Sequence, residues 1–393
     1  MTTRRIIAAA LACTVAACAT MSDSTMTNPS PKTRLMLSGN DGKFPNDGAY
    51  SVSPNPVPDT LTVLDASVFP PKKLSEIPIQ HTPTGPPMTI AITADEKLAL
   101  VSVPNHIDPN DKTKIVNDTF MQVVDLEANP PKLIAKVELK NHPLGVSVNK
   151  AGTLALAAHQ DGNVSVMSIN GKDVKHVGNV KIGDPATSVR MVAITPDGKW
   201  ALVGKRGTDT VAVLSIDGEK VALTKTEITV GSNPYGIDIS NDGRFAAVGN
   251  AGRGEGSNDT VSVIDLTRQP FRNVQTLTVG PGVESVTISP DGRYIAVNNQ
   301  NMTNVPKSNP LRTENGRVML FEMRNGLWTK RDELPIGHNP QGLVFTPDGR
   351  YLVVQNYVEK ELALFSVAGG ELKDTGQRIA VPGYPSGLRI APQ

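Results

Sequence analysis

The chain is nearly devoid of cysteine: its two, Cys13 and Cys18, both fall within the first 18 residues. Everything after them can form no disulfide, bind no metal through cysteine and offer no cysteine nucleophile. A surplus of either charge is also missing. The 39 basic and 38 acidic side chains leave a formal net charge of +1. That excludes a nucleic-acid binder acting by bulk electrostatics, which needs a basic surplus on some face. No apolar run reaches the ~20 residues that a membrane-spanning helix requires. Several chemical signatures are absent too. There is no Walker loop, no Gly-x-Ser-x-Gly elbow, no Cys-x-x-Cys-His haem site, and no His-Glu-x-x-His or His-x-x-x-His metal spacing.

The N-terminus reads as an export signal over residues 1–18. Arg4 and Arg5 supply a positive start, and residues 6–17 are apolar over about a dozen positions, the length of a signal core. The segment ends in Val15-Ala16-Ala17-Cys18, which resembles the bacterial lipobox, so Cys18 is the expected lipidation site. Ala19 rather than Asp follows it, which by the same resemblance favours the outer membrane. The competing reading is a simple signal cleaved after Ala19. The expected location is therefore the periplasm, with the lipid anchor as the only membrane contact. Residues 19–47 read as a flexible tether and lead-in, beginning with a Ser/Thr/Pro-rich stretch.

Glycine (34) and proline (31) are abundant, which argues for many short strands joined by turns. Residues 48–393 then reveal a repeat. Six segments share one grammar, from MTIAITADEKLALV to QGLVFTPDGRYLVVQ, with turns at Glu96, Gly152, Gly198, Gly243, Gly292 and Gly349. In the Pro-Asp-Gly turns, proline presets φ, aspartate can bond the backbone beyond it, and glycine accepts φ > 0. Each turn joins two strands as a hairpin; a third strand (FMQVVDL, TVAVLSI, TVSVIDL) and a weaker fourth follow. Four short strands per repeat make a propeller blade. Residues 384–392 repeat only a first strand, while TLTVLDA and KLSEIPI near the start supply a third and fourth. The expected fold is all-β: a seven-bladed β-propeller of four-stranded blades, the last closed by both termini.

These residues resemble the YVTN-repeat and lactonase-like seven-bladed propellers. The resemblance rests on Gly-x-Asn-Pro-x-Gly at Gly231–Gly236, on its counterpart at Gly337–Gly342, on the Pro-Asp-Gly turns, and on Thr-Val-Ser-Val-Ile-Asp at Thr260–Asp265. No blade carries Tyr-Val-Thr-Asn in full, although its Asn persists at Asn250, Asn299 and Asn356. None of the three is followed by Glu, as the sugar-lactone branch often has it, and the Trp-Asp pair of WD40 repeats is absent.

Blade-to-blade connections and the loops between second and third strands share one face of a propeller. The long loops here are residues 104–118, 250–259 and 299–315, and long loops on a rigid scaffold commonly carry function. The position before each first-strand glycine rings the funnel on that face: Met88, Leu144, Arg190, Tyr235, Glu284, Gln341 and Ser386. Asp238 and Arg389 are charged residues deeper in the innermost strands, where burial is costly without a partner. A structural polar network is one reading of these groups. The other is a catalytic set in which Arg190 holds an anion and Glu284 acts as base, with His338 as the candidate histidine. Tyr235, Gln341, His142, His159, Asn250, Asn299 and Asn356 are the accompanying ligand-binding candidates. No cofactor is expected, although the asparagines and Glu284 offer the hard oxygen donors that Ca²⁺ takes. The leading expectation is an exported propeller that binds a small molecule or a protein partner at its funnel face. The alternative is a lactonase-like hydrolase or isomerase, and the sequence leaves open whether the protein is an enzyme.

Overall fold

In the computed structural model, residues 34–392 are described apart from 46, 49, 50 and 86. The export signal, Cys18 and the tether up to residue 33 lie outside the described residues. Among those described, the chain folds into seven four-stranded antiparallel sheets, with a two-stranded ribbon (Asn105–Ile107 and Ile115–Asn117) in the first long loop.

The hairpin turns form as their chemistry dictates. Glu96, Gly152, Gly198, Gly243, Gly292 and Gly349 have φ of 62°, 68°, 71°, 70°, 69° and 68°. Before the glycine, a hydroxyl donates to the turn aspartate, as Thr195 does to Asp197 (2.5 Å) and Ser289 to Asp291 (2.6 Å). The same carboxylate accepts the backbone N–H two residues on, from Lys199 and Arg293 (3.0 Å each). Glu96 is the one side chain forced into the left-handed region here, and its carboxylate pairs with Arg34 at 3.0 Å.

The second strand of each blade is largely apolar because both its faces are covered. Successive side chains point to opposite faces. In Leu98–Val101, Leu98 and Leu100 therefore pack toward the next blade, and Ala99 and Val101 toward the previous one. Repeated around the ring, this gives seven hydrophobic cores, one for each pair of adjacent blades. Fourth strands such as Lys132–Glu138 alternate exposed and half-buried residues at the rim.

The closing blade departs from the sequence reading at one strand. Tyr384–Ile390 is its innermost strand, and its partner is Leu35–Asp41, with Met36 opposite Ile390 and Gly39 opposite Gly387. Thr60–Asp65 and Lys72–Pro78 follow as third and fourth. The propeller thus begins at Leu35 rather than at residue 48. LMLSGND has no hairpin turn to announce it, because its first-strand partner lies at the other end of the chain. A buried cluster fixes the join. The Lys43 ammonium donates to Asp59 and to the His81 carbonyl (2.7 Å), with an Asp41 oxygen 3.3 Å away. Burial pushes the Asp41 carboxyl up to about 6, against the pull of Lys43. His81 donates or accepts at both nitrogens, with Thr89 (3.0 Å) and Ser386 (3.1 Å), and lies so close to Gly39 that a β-carbon there would stand 2.6 Å from its ring.

Candidate active site

The inner strands carry the funnel residues on bulges. Pairing slips a residue between Pro143 and Val146, Val189 and Met191, Pro234 and Gly236, and Val283 and Ser285. Leu144, Arg190, Tyr235 and Glu284 lie at these slips. A bulge leaves one residue out of the ladder and re-aims its side chain, so the repeat presents one free position per blade to the funnel.

Arg190 and Tyr235 reach across the ring. An Arg190 N–H donates to the Thr84 carbonyl (3.4 Å) and the Tyr235 hydroxyl to the Gly85 carbonyl (2.9 Å). Both acceptors belong to the segment entering another blade. The Arg206 guanidinium lies 5.9 Å from the centre of the Tyr235 ring. Burial lowers the Arg190 pKa and the Arg206 charge lowers it further, against the opposing effect of Tyr235. Two guanidinium groups thus share one side of the funnel, and the buried Arg190 Nε has no hydrogen-bond partner.

Glu284 lies beyond Arg206 and is only 6% exposed. Burial pushes its carboxyl up to about 8, and Arg206 pulls it part of the way back. Near neutral pH it is therefore mostly the protonated acid. Gln300 donates to Glu284 Oε2 (3.0 Å) and to Asn339 Oδ1 (2.8 Å), and Gln341 donates to the same Asn339 oxygen (3.2 Å).

His142 completes the arc. Its Nδ1 stands 2.8 Å from the Asp118 carbonyl oxygen. A carbonyl can only accept, so Nδ1 carries the proton and Nε2 the lone pair. Nε2 is buried and has no hydrogen-bond partner. Burial lowers the His142 pKa and the nearby Arg190 charge adds to the effect, against the Asp118 carbonyl and carboxylate. The ring is thus held as a neutral base.

Of the expected residues, Arg190, Tyr235, Glu284, Gln341 and His142 belong to one linked set. His338 does not: its Nδ1 pairs with Glu359 at 2.7 Å, in a half-exposed loop. Its place as the candidate histidine falls to His142. The strand-end asparagines are local braces, and Asn299 reaches the fourth strand of the preceding blade. Asn250 donates to Thr260 (3.0 Å) and Ser262 (3.1 Å), Asn299 to the Val279 carbonyl, and Asn356 to Glu361 (2.8 Å) while accepting from the Gly337 N–H (3.1 Å). Asn40 makes the same braces in the closing blade, to Thr60 and Thr62. His159, at the equivalent position, bonds Ser165 (2.7 Å) and the His142 carbonyl (3.1 Å). Among the described residues no group of three or more His, Asp or Glu is placed to hold a metal ion.

Arg206 and Gln300 escaped the sequence reading, yet the repeat contains their signal. Each directly follows the strand-end position held by Lys205 and Asn299. That next position, noted above for lacking Glu, brings Arg206 and Gln300 to Tyr235 and Glu284 in the funnel.

The family model for seven-bladed β-propeller lactonases matches residues 183–269 and 257–386. A search of curated proteins finds no match. Among solved structures, a candidate 6-phosphogluconolactonase from Bacteroides fragilis superposes with a TM-score of 0.70 at 20% identity, over 92% of this chain and 99% of its own. A periplasmic gluconolactonase from Pseudomonas aeruginosa gives 0.65 at 20%, over 91% and 98%. Hydrazine synthase from Kuenenia stuttgartiensis gives 0.57 at 22%, over 73% and 78%. These likenesses are of fold, and such a fold hosts unrelated chemistries.

Proposed function

The chain belongs to the seven-bladed β-propeller lactonase family, and on that footing we propose that it hydrolyses a lactone carrying an anionic or strongly polar substituent. The observation that carries this is the His142 lone pair, buried and unclaimed, near the Arg190 guanidinium, which Arg206 in turn neighbours. The gluconolactonase names of two fold neighbours point to a sugar-acid lactone as the substrate class.

Each group has a role that follows from its protonation state. His142 Nε2 takes a proton from water as the water oxygen bonds to the lactone carbonyl carbon. Arg190 and Arg206 stabilise the negative charge that develops on the carbonyl oxygen, or hold the substituent. The ring C–O bond then breaks, and protonated Glu284 gives its proton to the departing alkoxide. The proton on His142 returns to Glu284 through solvent, leaving a hydroxy acid. This reading takes precedence over a binding-only propeller because three groups are set in complementary states for hydrolysis.

The test is proton release from a panel of aldonolactones, phosphorylated and not, by the purified protein and by His142→Phe and Glu284→Gln. Turnover lost in both variants supports the assignment. Turnover unaffected by His142→Phe refutes it. Saturable binding without turnover of any panel member would establish the binding propeller instead. We also propose that the enzyme acts outside the cytoplasm, anchored through lipidated Cys18, on the strength of its lipobox. An intact mass showing an unmodified N-terminus at Thr20 overturns that anchor.

A further inference from the structure

The central channel has a second mouth, on the face of the Pro-Asp-Gly turns. A cavity of about 220 Å³ opens there, lined by the last residues of all seven inner strands. It lies three to four residues beyond the funnel ring along each strand, or ~10–13 Å at ~3.3 Å per residue. Its walls form two layers. The outer is apolar in every blade, with Ile194, Ile239, Ile288, Phe345 and Ile390 among its members. The inner is mostly small, with Ala91, Ser147, Ala193, Thr287 and Val344, except for Asp238 and Arg389. Those two belong to blades three apart one way round the ring and four the other, so they face each other across the axis.

Their hydrogen bonding is unequal. The Asp238 carboxylate is occupied: it accepts from Ile288 N–H (2.8 Å), the Thr287 hydroxyl (3.1 Å) and Ile239 N–H. The Arg389 guanidinium donates to no side chain or carbonyl among the described residues, and its only charged neighbour of note is Asp238. Burial lowers its pKa. Lys150 adds a second cation to the lining. The chemistry left open at this mouth is a planar donor fork beneath an apolar collar. Such a fork matches a carboxylate with two parallel hydrogen bonds.

We propose that this cavity is a second binding site, distinct from the funnel, for a small carboxylate with an apolar body. The carboxylate bonds Arg389, and the hydrocarbon lies against the isoleucine and phenylalanine collar. Asp238 faces the same space with like charge and limits the affinity.

The test is calorimetric titration of the whole protein with hexanoate, and with hexanamide as the uncharged isostere. Hexanoate is expected to bind one to one and hexanamide about tenfold more weakly or worse, the loss of one charge-assisted bond. Arg389→Met should cost hexanoate at least about tenfold, and Asp238→Asn should tighten it. Arg190→Met, at the other mouth, should leave it unchanged. Arg389 lies in the closing strand, so Ala193→Phe, which fills the inner layer and retains Arg389, is the parallel variant. It too should abolish binding. No heat of binding at tens of millimolar hexanoate, binding that survives Ala193→Phe, or binding lost in Arg190→Met instead would each overturn the proposal.

Discussion

Glu284→Gln should make the protein more stable and less active, and the gain in stability should depend on pH in a defined way. The carboxyl has an ordinary value of 4.5 and is pushed up to about 8 by burial. Between those values the folded chain retains a proton that the unfolded chain releases, so stability falls as pH rises. Glu284's favourable contribution is complete below 4.5 and gone once pH passes about 8. At pH 7 the offset is 2.5 pH units at ~1.4 kcal/mol each, a penalty of ~3 kcal/mol that rises to ~4 kcal/mol by pH 8. Glutamine has nearly the same shape and no proton to retain. The Gln variant should therefore exceed the wild type by no more than ~1 kcal/mol at pH 5 and by ~3 kcal/mol at pH 7. Urea unfolding of both proteins at pH 5, 6, 7 and 8 measures this, because every other titrating group cancels in the difference. A gap that stays constant from pH 5 to pH 8 would refute the raised carboxyl. Loss of the proton donor should meanwhile lower turnover by ~10²–10⁴-fold.

Arg206→Met should remove the charge that holds Glu284 down, moving the basic limb of the pH–rate profile upward while kcat/KM for an anionic lactone falls by about tenfold or more. If that limb does not move, the coupling between Arg206 and Glu284 is wrong. Lys43→Met strands Asp41 and Asp59 in the closing blade and should cost ~3–5 kcal/mol at pH 7. The loss should shrink below pH 6, as Asp41 takes up a proton, and unfolding at pH 5 and 7 checks both. Deleting residues 384–392 bares the edge of Leu35–Asp41 and removes one wall from two interblade cores. A truncated chain that melts with the full domain would contradict ring closure by both termini.

The fold was legible because the repeat states it six times. Turn chemistry at Gly198, Gly292 and Gly349 fixes the hairpins, and hairpin spacing fixes the blades. Leu35–Asp41 was not legible because strand recognition leaned on the turn that normally precedes it. The site was only half legible. Arg190, Tyr235 and Glu284 stand out as polar residues where other blades place Met88 and Leu144. The strand-end asparagines illustrate the opposite case: a residue that recurs in several blades braces the repeat, as Asn250 and Asn356 do. His338 and His142 have similar neighbours in sequence, and their roles separate only through Glu359 and the Asp118 carbonyl, which come from other parts of the chain.

The strand pairing of Leu35–Asp41 with Tyr384–Ile390 also sets an order of events during synthesis. The first three strands of the closing blade emerge early and must wait, with one edge bare, for almost the whole remaining chain. Six blades can stack as they appear, since each hairpin is local. The ring itself cannot shut until the last strand is made. Contacts spanning nearly 350 residues make this final step slow, and until it occurs the bare edge invites pairing with other chains. Any chain that stops short remains an open arc, and is thereby distinguishable from a finished one by chaperones and proteases.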